Sequence, residues 1–306
     1  RSKGEDAEER EHDGIPHSRA STHEQAGVGA AMKDLCFSRT THVPRGGCFG
    51  TSMDILANMD TYDQNVWGCY VVANACFWFA SLSCHAVDTF CPGLEKTQGQ
   101  KSHMTQRTFA HAAAVAFANI VICAAAVVPG GANLWRALHA APLGVGDAFH
   151  PLREALVLAG SLLVIDFWFY WTHRAMHHSS IYRAIHKMHH RFTAPTAVAA
   201  VYAHPVEFLV GNVGGVALGP ILCNAHPYTA WAWFAVSLCS TCGSHSGYAA
   251  LGADKHDEHH RLFDCNFGVG PFCDSLFKTR KEDIPKFANK PHPMDRFRPG
   301  KDGKRA

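Results

Sequence analysis

Five stretches of this chain carry almost no charge. Val66 to Val87 and Thr108 to Trp135 contain no Asp, Glu, Lys or Arg, and the second has its apolar heart from Ala112 to Val128. Ala155 to Trp171 is interrupted only by Asp166, Ala194 to Cys223 only by Glu207, and Thr229 to Ala253 by nothing. About 20 apolar residues in a helix cross the hydrocarbon core of a bilayer. The pattern therefore predicts an all-α integral membrane bundle of four to five apolar helices. Their Ala, Gly and Ser content also suits buried helices of a soluble protein, but length and lack of charge favour the membrane.

The flanks differ in kind. Residues 1–60 are dense in charge, Gly and Ser without an apolar period, and read as a disordered tail. The membrane-embedded domain is expected over 61–290, with its catalytic part at 155–279, and 291–306 reads as a basic tail. The chain begins at Arg1 rather than Met, which leaves room for an upstream segment, and no signal peptide is visible.

Over 306 residues the composition is 47% hydrophobic with a formal net charge of +2, and nothing in it suggests a nucleic-acid binder. A mean hydropathy of -0.09 averages polar flanks with apolar runs and hides the membrane signal. Twelve cysteines are scattered, mostly within apolar runs where Cys behaves as a small hydrophobe, so no disulfide framework is expected. The CxxC of Cys239 and Cys242 lacks a partner pair and reads as packing.

The chemistry lies in three histidine clusters at the ends of apolar runs: His173, His177 and His178 in HRAMHH, His186, His189 and His190 in HKMHH, and His256, His259 and His260 in HDEHH. Positions three and four apart share a helix face, so each HxxHH is expected to present its rings in one direction. His178 lies well round the helix from His173. Neutral imidazole suits iron, zinc or copper, and so many rings would repel if protonated together, so a multinuclear metal site is expected. Structural or transported zinc is the competing use.

Parity supports a shared site. If the third run exits at the first two clusters, the fourth crosses away and the fifth returns to deliver the third cluster on the same side. Arg174, Arg183, Lys187, Arg191, Lys255, Arg261, Lys278, Arg280 and Lys281 gather there, which makes that side cytosolic by the positive-inside tendency. Counting back, the N-terminus falls across the membrane unless one of the first two runs is re-entrant or merely interfacial.

Other polar residues accompany the clusters. Asp166, two helical turns before His173, is expected to accept the second ring N–H of a ligand histidine and fix its tautomer. His204 and Glu207 in AHPVE are placed facing the site, with Pro205 bending the helix beneath it, the alternative being a kink with an internal His-to-Glu contact. His245, eleven residues before His256, is a further candidate ligand. Asn266, followed by Phe267 and Gly268, and Asp274 in DSLF could orient histidines, although the same letters are ordinary turn formers.

Taken together, DFWFYWTHR, IYRAIHKMHH, AVYAHPVE, SHSGY and HDEHHRLFDCNFG followed by DSLFKT resemble the membrane-bound fatty acid hydroxylase and sterol desaturase superfamily over roughly Ala155 to Thr279. YAHPVE and HSGY are most similar to its 4-methylsterol oxidase branch, with cholesterol 25-hydroxylase-like proteins as near relatives. The resemblance implies an O2-dependent di-iron oxidoreductase in which His173, His177, His186, His189, His190, His256, His259 and His260 bind two irons, with His178 and His245 as extra contributors. Some members carry another histidine where this chain has Thr241. It further implies electrons from NAD(P)H through a cytochrome b5-type carrier, a sterol or other lipid substrate, and residence in the endoplasmic reticulum with the metal site facing the cytosol. Histidine spacing does not separate a methylsterol substrate from a sterol side chain, a fatty acid or a sphingoid base.

Overall fold

A computed structural model describes residues 59–98, 106–270 and 272–291. The 1–58 part of the expected tail and nearly all of the expected basic tail, 292–306, lie outside the described residues. Those described are helical or irregular, with no strand among them.

Among the described residues five long helices alternate in direction: α1 (Thr61–Phe90), α2 (Gln106–Leu138), α3 (Pro151–Met176), α4 (Pro205–Leu222) and α5 (Pro227–His245). The first four are long and apolar enough to cross a membrane, whereas α5, at 19 residues, is not among them. Bonds fix one end of the bundle. Tyr62 Oη–H donates to His139 O at 2.7 Å, Asn65 Nδ2–H to Leu143 O at 2.8 Å and Trp135 Nε1–H to Asn224 Oδ1 at 2.8 Å. The start of α1, the end of α2 and the end of α4 therefore meet there, and the histidines lie at the opposite end.

The helices begin where the sequence provides for it. Asp60 caps α1 by accepting from Asp63 N at 2.9 Å. α3, α4 and α5 each start with proline, whose missing N–H costs nothing at a first position. Pro205 thus opens α4 behind an N-cap from His204, whose Nδ1 accepts from Val206 N, rather than bending a helix already under way.

α3 is polar inside and apolar outside. Glu154, Ser161, Asp166 and His173 are buried, while Leu152, Leu156 and Phe167 are 78%, 67% and 59% exposed. Such an inversion suits a bundle solvated by lipid.

The expected single run from Ala194 to Cys223 is in fact two structures. Its first half is a buried 3-10 segment, Ala197–Val201, followed by Tyr202 and Ala203; α4 begins only at Pro205. Irregular backbone at that depth needs partners for its carbonyls. Asn119 of α2, itself buried, donates to Val201 O at 3.0 Å and Ala203 O at 2.9 Å, and Asn212 donates to Ala200 O at 3.2 Å. α4 then widens into a π turn over Phe208–Val213, where Trp168 Nε1–H donates to Val210 O at 2.7 Å. The ten cysteines among the described residues are all free.

α3 and α4 pack through small residues: a Cβ on Gly219 would stand 2.6 Å from Ser161 Cα. Gly219→Val therefore has to push two backbones apart, and overpacking of this kind costs about 1–3 kcal/mol. Thermal unfolding in detergent should show a lowered midpoint for Gly219→Val. Gly130→Ala, whose Cβ would meet nothing within 4 Å, should stay close to wild type.

Candidate metal centre

The nine histidines that come together form two adjacent groups. His173, His177, His186, His190 and His259 make one, and His189, His245, His256 and His260 the other; within each, one ring nitrogen per residue lies within 4.8 Å of all the others. All but His177 and His256 are buried.

The HxxHH triplets do not point in one direction. In the 3-10 turn His186–Arg191, His186 and His190 face the first group and His189 the second. In α6 (Asp254–Leu262), His256 and His260 face the second group and His259 the first. The pair four apart serves one group while the middle histidine serves its neighbour, so each triplet ties the two groups together. His190 and His260 ring centroids lie 4.6 Å apart across that boundary.

Hydrogen bonding sets the ring orientations. A carbonyl can only accept, so a ring nitrogen bonded to one carries the proton and leaves the other with a bare lone pair. His173 Nδ1–H donates to Phe267 O at 2.7 Å, His259 Nδ1–H to Cys265 O at 2.7 Å, His245 Nδ1–H to Thr241 O at 2.7 Å and His189 Nδ1–H to Tyr202 O at 3.3 Å. His186 Nδ1 lies 2.9 Å from Glu207 Oε1. The Nε2 atoms then face one another: His173 to His186 at 3.1 Å, His190 to His259 at 3.2 Å, His245 to His189 at 3.4 Å and His256 to His245 at 2.9 Å. Lone pairs aimed together at such distances form two donor sets, each able to hold a cation.

The remaining candidates sit elsewhere. His178 is exposed, bonded through Nδ1 to Ser180 Oγ at 2.7 Å, and outside both groups, because α3 ends at Met176 and the chain turns away after His177. Asp166 bonds to backbone rather than to a histidine, its Oδ2 accepting from Cys273 N at 2.8 Å. Asn266 also serves backbone, donating to Lys255 O at 3.2 Å and accepting from Lys281 N at 3.0 Å. The carboxylate on a clustered histidine is Glu207, and His204 is spent on capping α4.

Asp274 is a positioning residue that its turn-like surroundings conceal. It accepts from Phe267 N at 3.0 Å, Gly268 N at 2.7 Å and Thr279 Oγ1 at 2.7 Å, and so holds the loop whose Phe267 carbonyl orients His173.

Burial governs the protonation of the rings. It holds His189 down to about 4 and, with the neighbouring His173 and His189, His177 down to about 2; His186, His190, His256, His259 and His260 are pushed well below the ordinary imidazole range. All are neutral at pH 7 and available as ligands.

A histidine-rich site gathered at one end of a helical membrane bundle defines a recognisable class. Residues 158–279 match the fatty acid hydroxylase family. Within it the chain is similar to methylsterol monooxygenase 1 of Danio rerio, 39% identical over 39% of this chain and 45% of that protein. It is also similar to C-4 methylsterol oxidase erg25 of Schizosaccharomyces pombe, 36% identical over 37% and 43%. Fatty acid hydroxylase domain-containing protein 2 of Homo sapiens is 39% identical over 40% and 38%. The chain spans about half the length of the curated relatives it matches, or less. No solved structure matches it.

The depressed histidines fix a pH dependence. An unfolded chain takes up protons near pH 6.5 while the folded one resists them down to about 4 at His189, so stability is present above 6.5 and is lost as pH falls. In that window each such ring contributes about 1.4 kcal/mol of loss per pH unit. Metal-stripped protein in detergent should show a melting temperature falling steeply between pH 6.5 and 4; a flat profile would contradict neutral, buried rings.

Proposed function

We propose that this chain is a membrane monooxygenase with a non-haem di-iron centre that oxidises the 4-methyl group of a methylsterol in sterol biosynthesis. One iron would be held by His173, His177, His186, His190 and His259 and the other by His189, His245, His256 and His260. When bound, they supply the oxidising power to attack an unactivated C–H bond, drawn from O2 and from NAD(P)H electrons through a cytochrome b5-type donor, chemistry beyond any side chain. The reading places the protein in the endoplasmic reticulum with its histidine end in the cytosol, where an electron-donor protein and its reductase could reach it.

One observation carries the substrate assignment. A cavity of about 660 Å³ runs from the far end of the bundle to His173, His186, His189, His245 and His256. Its deep end is lined by residues such as Val66, Val128, Trp135, Leu162 and Ile221. Toward the histidines, Ser237, Ser240, Thr241 and Ser244 line it along one face of α5, with Glu207 opposite on α4. An amphiphile binding here puts its apolar tail deep and its polar end beside the histidines. A 4-methylsterol fits that polarity, since its 3-hydroxyl adjoins the methyl group. Oxidation of a sterol side chain would require the reverse orientation.

The protein's own groups act on this substrate by placement. α1, α2 and α4 line the cavity that would hold it, the α5 hydroxyls would receive its hydroxyl, and Phe267 O, Cys265 O, Tyr202 O, Thr241 O and Glu207 keep the rings in register. A second reading, oxidation of a fatty acid, draws on the human relative named for a fatty acid hydroxylase domain.

Expression in yeast lacking its own 4-methylsterol oxidase tests the choice. Wild type should restore demethylated sterols and His189→Ala should abolish that activity. Unchanged 4-methylsterols together with newly hydroxylated fatty acids would favour the second reading, and full activity in His189→Ala would contradict the role given to the histidines.

A further inference from the structure

Outside the residues that match the fatty acid hydroxylase family the fold buries an ion pair. Lys96, in the connection that follows α1, is 1% exposed, and its Nζ lies 2.7 Å from Asp88 Oδ2 near the end of that helix. Tyr248 Oη–H donates to the other oxygen, Asp88 Oδ1, at 2.7 Å, and the ammonium sits 5.1 Å from the centre of the Tyr248 ring. Gly247, at φ +80°, lets the chain press on the lysine stem; a Cβ there would meet Lys96 Cδ at 3.0 Å. Thr97 N–H donates to Gly247 O at 2.8 Å. Gln98 Nε2–H then reaches Thr193 O at 2.8 Å and Asp257 O at 3.3 Å.

These contacts land beside the four-histidine group. Gly247 and Tyr248 follow His245 at the end of α5, and Asp257 follows His256 in α6. The five-histidine group is oriented by the Phe267 and Cys265 carbonyls and Glu207. In the four-histidine group, His189 and His245 are oriented by the Tyr202 and Thr241 carbonyls, while His260 Nδ1, like His190 Nδ1 in the five-histidine group, has no hydrogen-bond partner among the described residues. These carbonyl bonds orient individual rings, whereas the end of α5 and the start of α6 are bridged by the connection after α1, through Thr97 to Gly247 O and Gln98 to Asp257 O.

We propose that Lys96 is a positioning residue for the four-histidine group: with Asp88 and Tyr248 it locks the end of α5 against the start of α6, so that His245 and His256 converge with His189 and His260. The proposal rests on the reading of the two groups as metal sites. It extends the functional unit to a connection outside the matched domain.

The test titrates ferrous iron, under anaerobic conditions, into metal-stripped full chain in detergent, comparing wild type, Lys96→Met, Tyr248→Phe and His245→Ala. Wild type should take up two irons per chain. Lys96→Met and Tyr248→Phe should keep one tight site and weaken the other by about 10-fold or more, as expected for outer partners of metal ligands, and so resemble His245→Ala. Lys96→Met leaves Asp88 buried without its cation, which endangers folding. Tyr248→Phe keeps both the ion pair and the ring, and remains informative if Lys96→Met does not fold. Two irons held with wild-type affinity in Tyr248→Phe, or loss of both irons together, would overturn the proposal. A wild type that binds no iron would instead sink the reading of the histidine groups on which it rests.

Discussion

The arrangement turns on lone pairs. At least five rings give their Nδ1 side to an oxygen of the protein, which leaves the Nε2 lone pairs facing one another at 3.1 Å between His173 and His186 and at 3.4 Å between His189 and His245. Protonation would relieve that opposition only by burying positive charge beside more histidines, and burial drives the ring proton affinities down instead. A cation is the natural resolution. On our account folding prepays the cost of bringing the rings together, and metal binding recovers it.

The remainder of the fold serves that convergence. α3 turns its buried polar face inward and brings His173 to the end of the bundle, while Asp166 and Asp274 hold the loop whose carbonyl orients that ring. The buried 3-10 segment beneath His189 and the residues that follow it are held by Asn119, which satisfies the carbonyls of Val201 and Ala203. The π turn of α4 follows directly on Glu207, the carboxylate beside His186, and the cavity reaches both. The cavity wall and ring orientation thus share the same few segments.

Much of this was legible in the sequence. Uncharged runs announce α1, α2 and α3 because lipid solvation demands apolar length, and repeated HxxHH announces the site because imidazoles so numerous need a common partner. What resisted reading depends on distant partners. The assignment of His189 and His259 to the opposite group from their own triplets follows from a 3-10 turn meeting an α-helix, which spacing alone does not reveal. Asp166 stood out as a charge in an apolar helix, yet its partner, Cys273, lies 107 residues away. Ala194 to Cys223 read as one span because buried irregular backbone and a crossing helix share the same composition. Lys96 resembles any cation just past a membrane run until Tyr248, far along the chain, closes over it.

Metal K-edge X-ray absorption on protein purified without added metal addresses the central claim most directly. The account requires an iron edge with the multiple-scattering signature of several imidazoles, shifting when reductant is added and returning on exposure to O2. A zinc edge indifferent to both, or a metal signal without imidazole scattering, would contradict it.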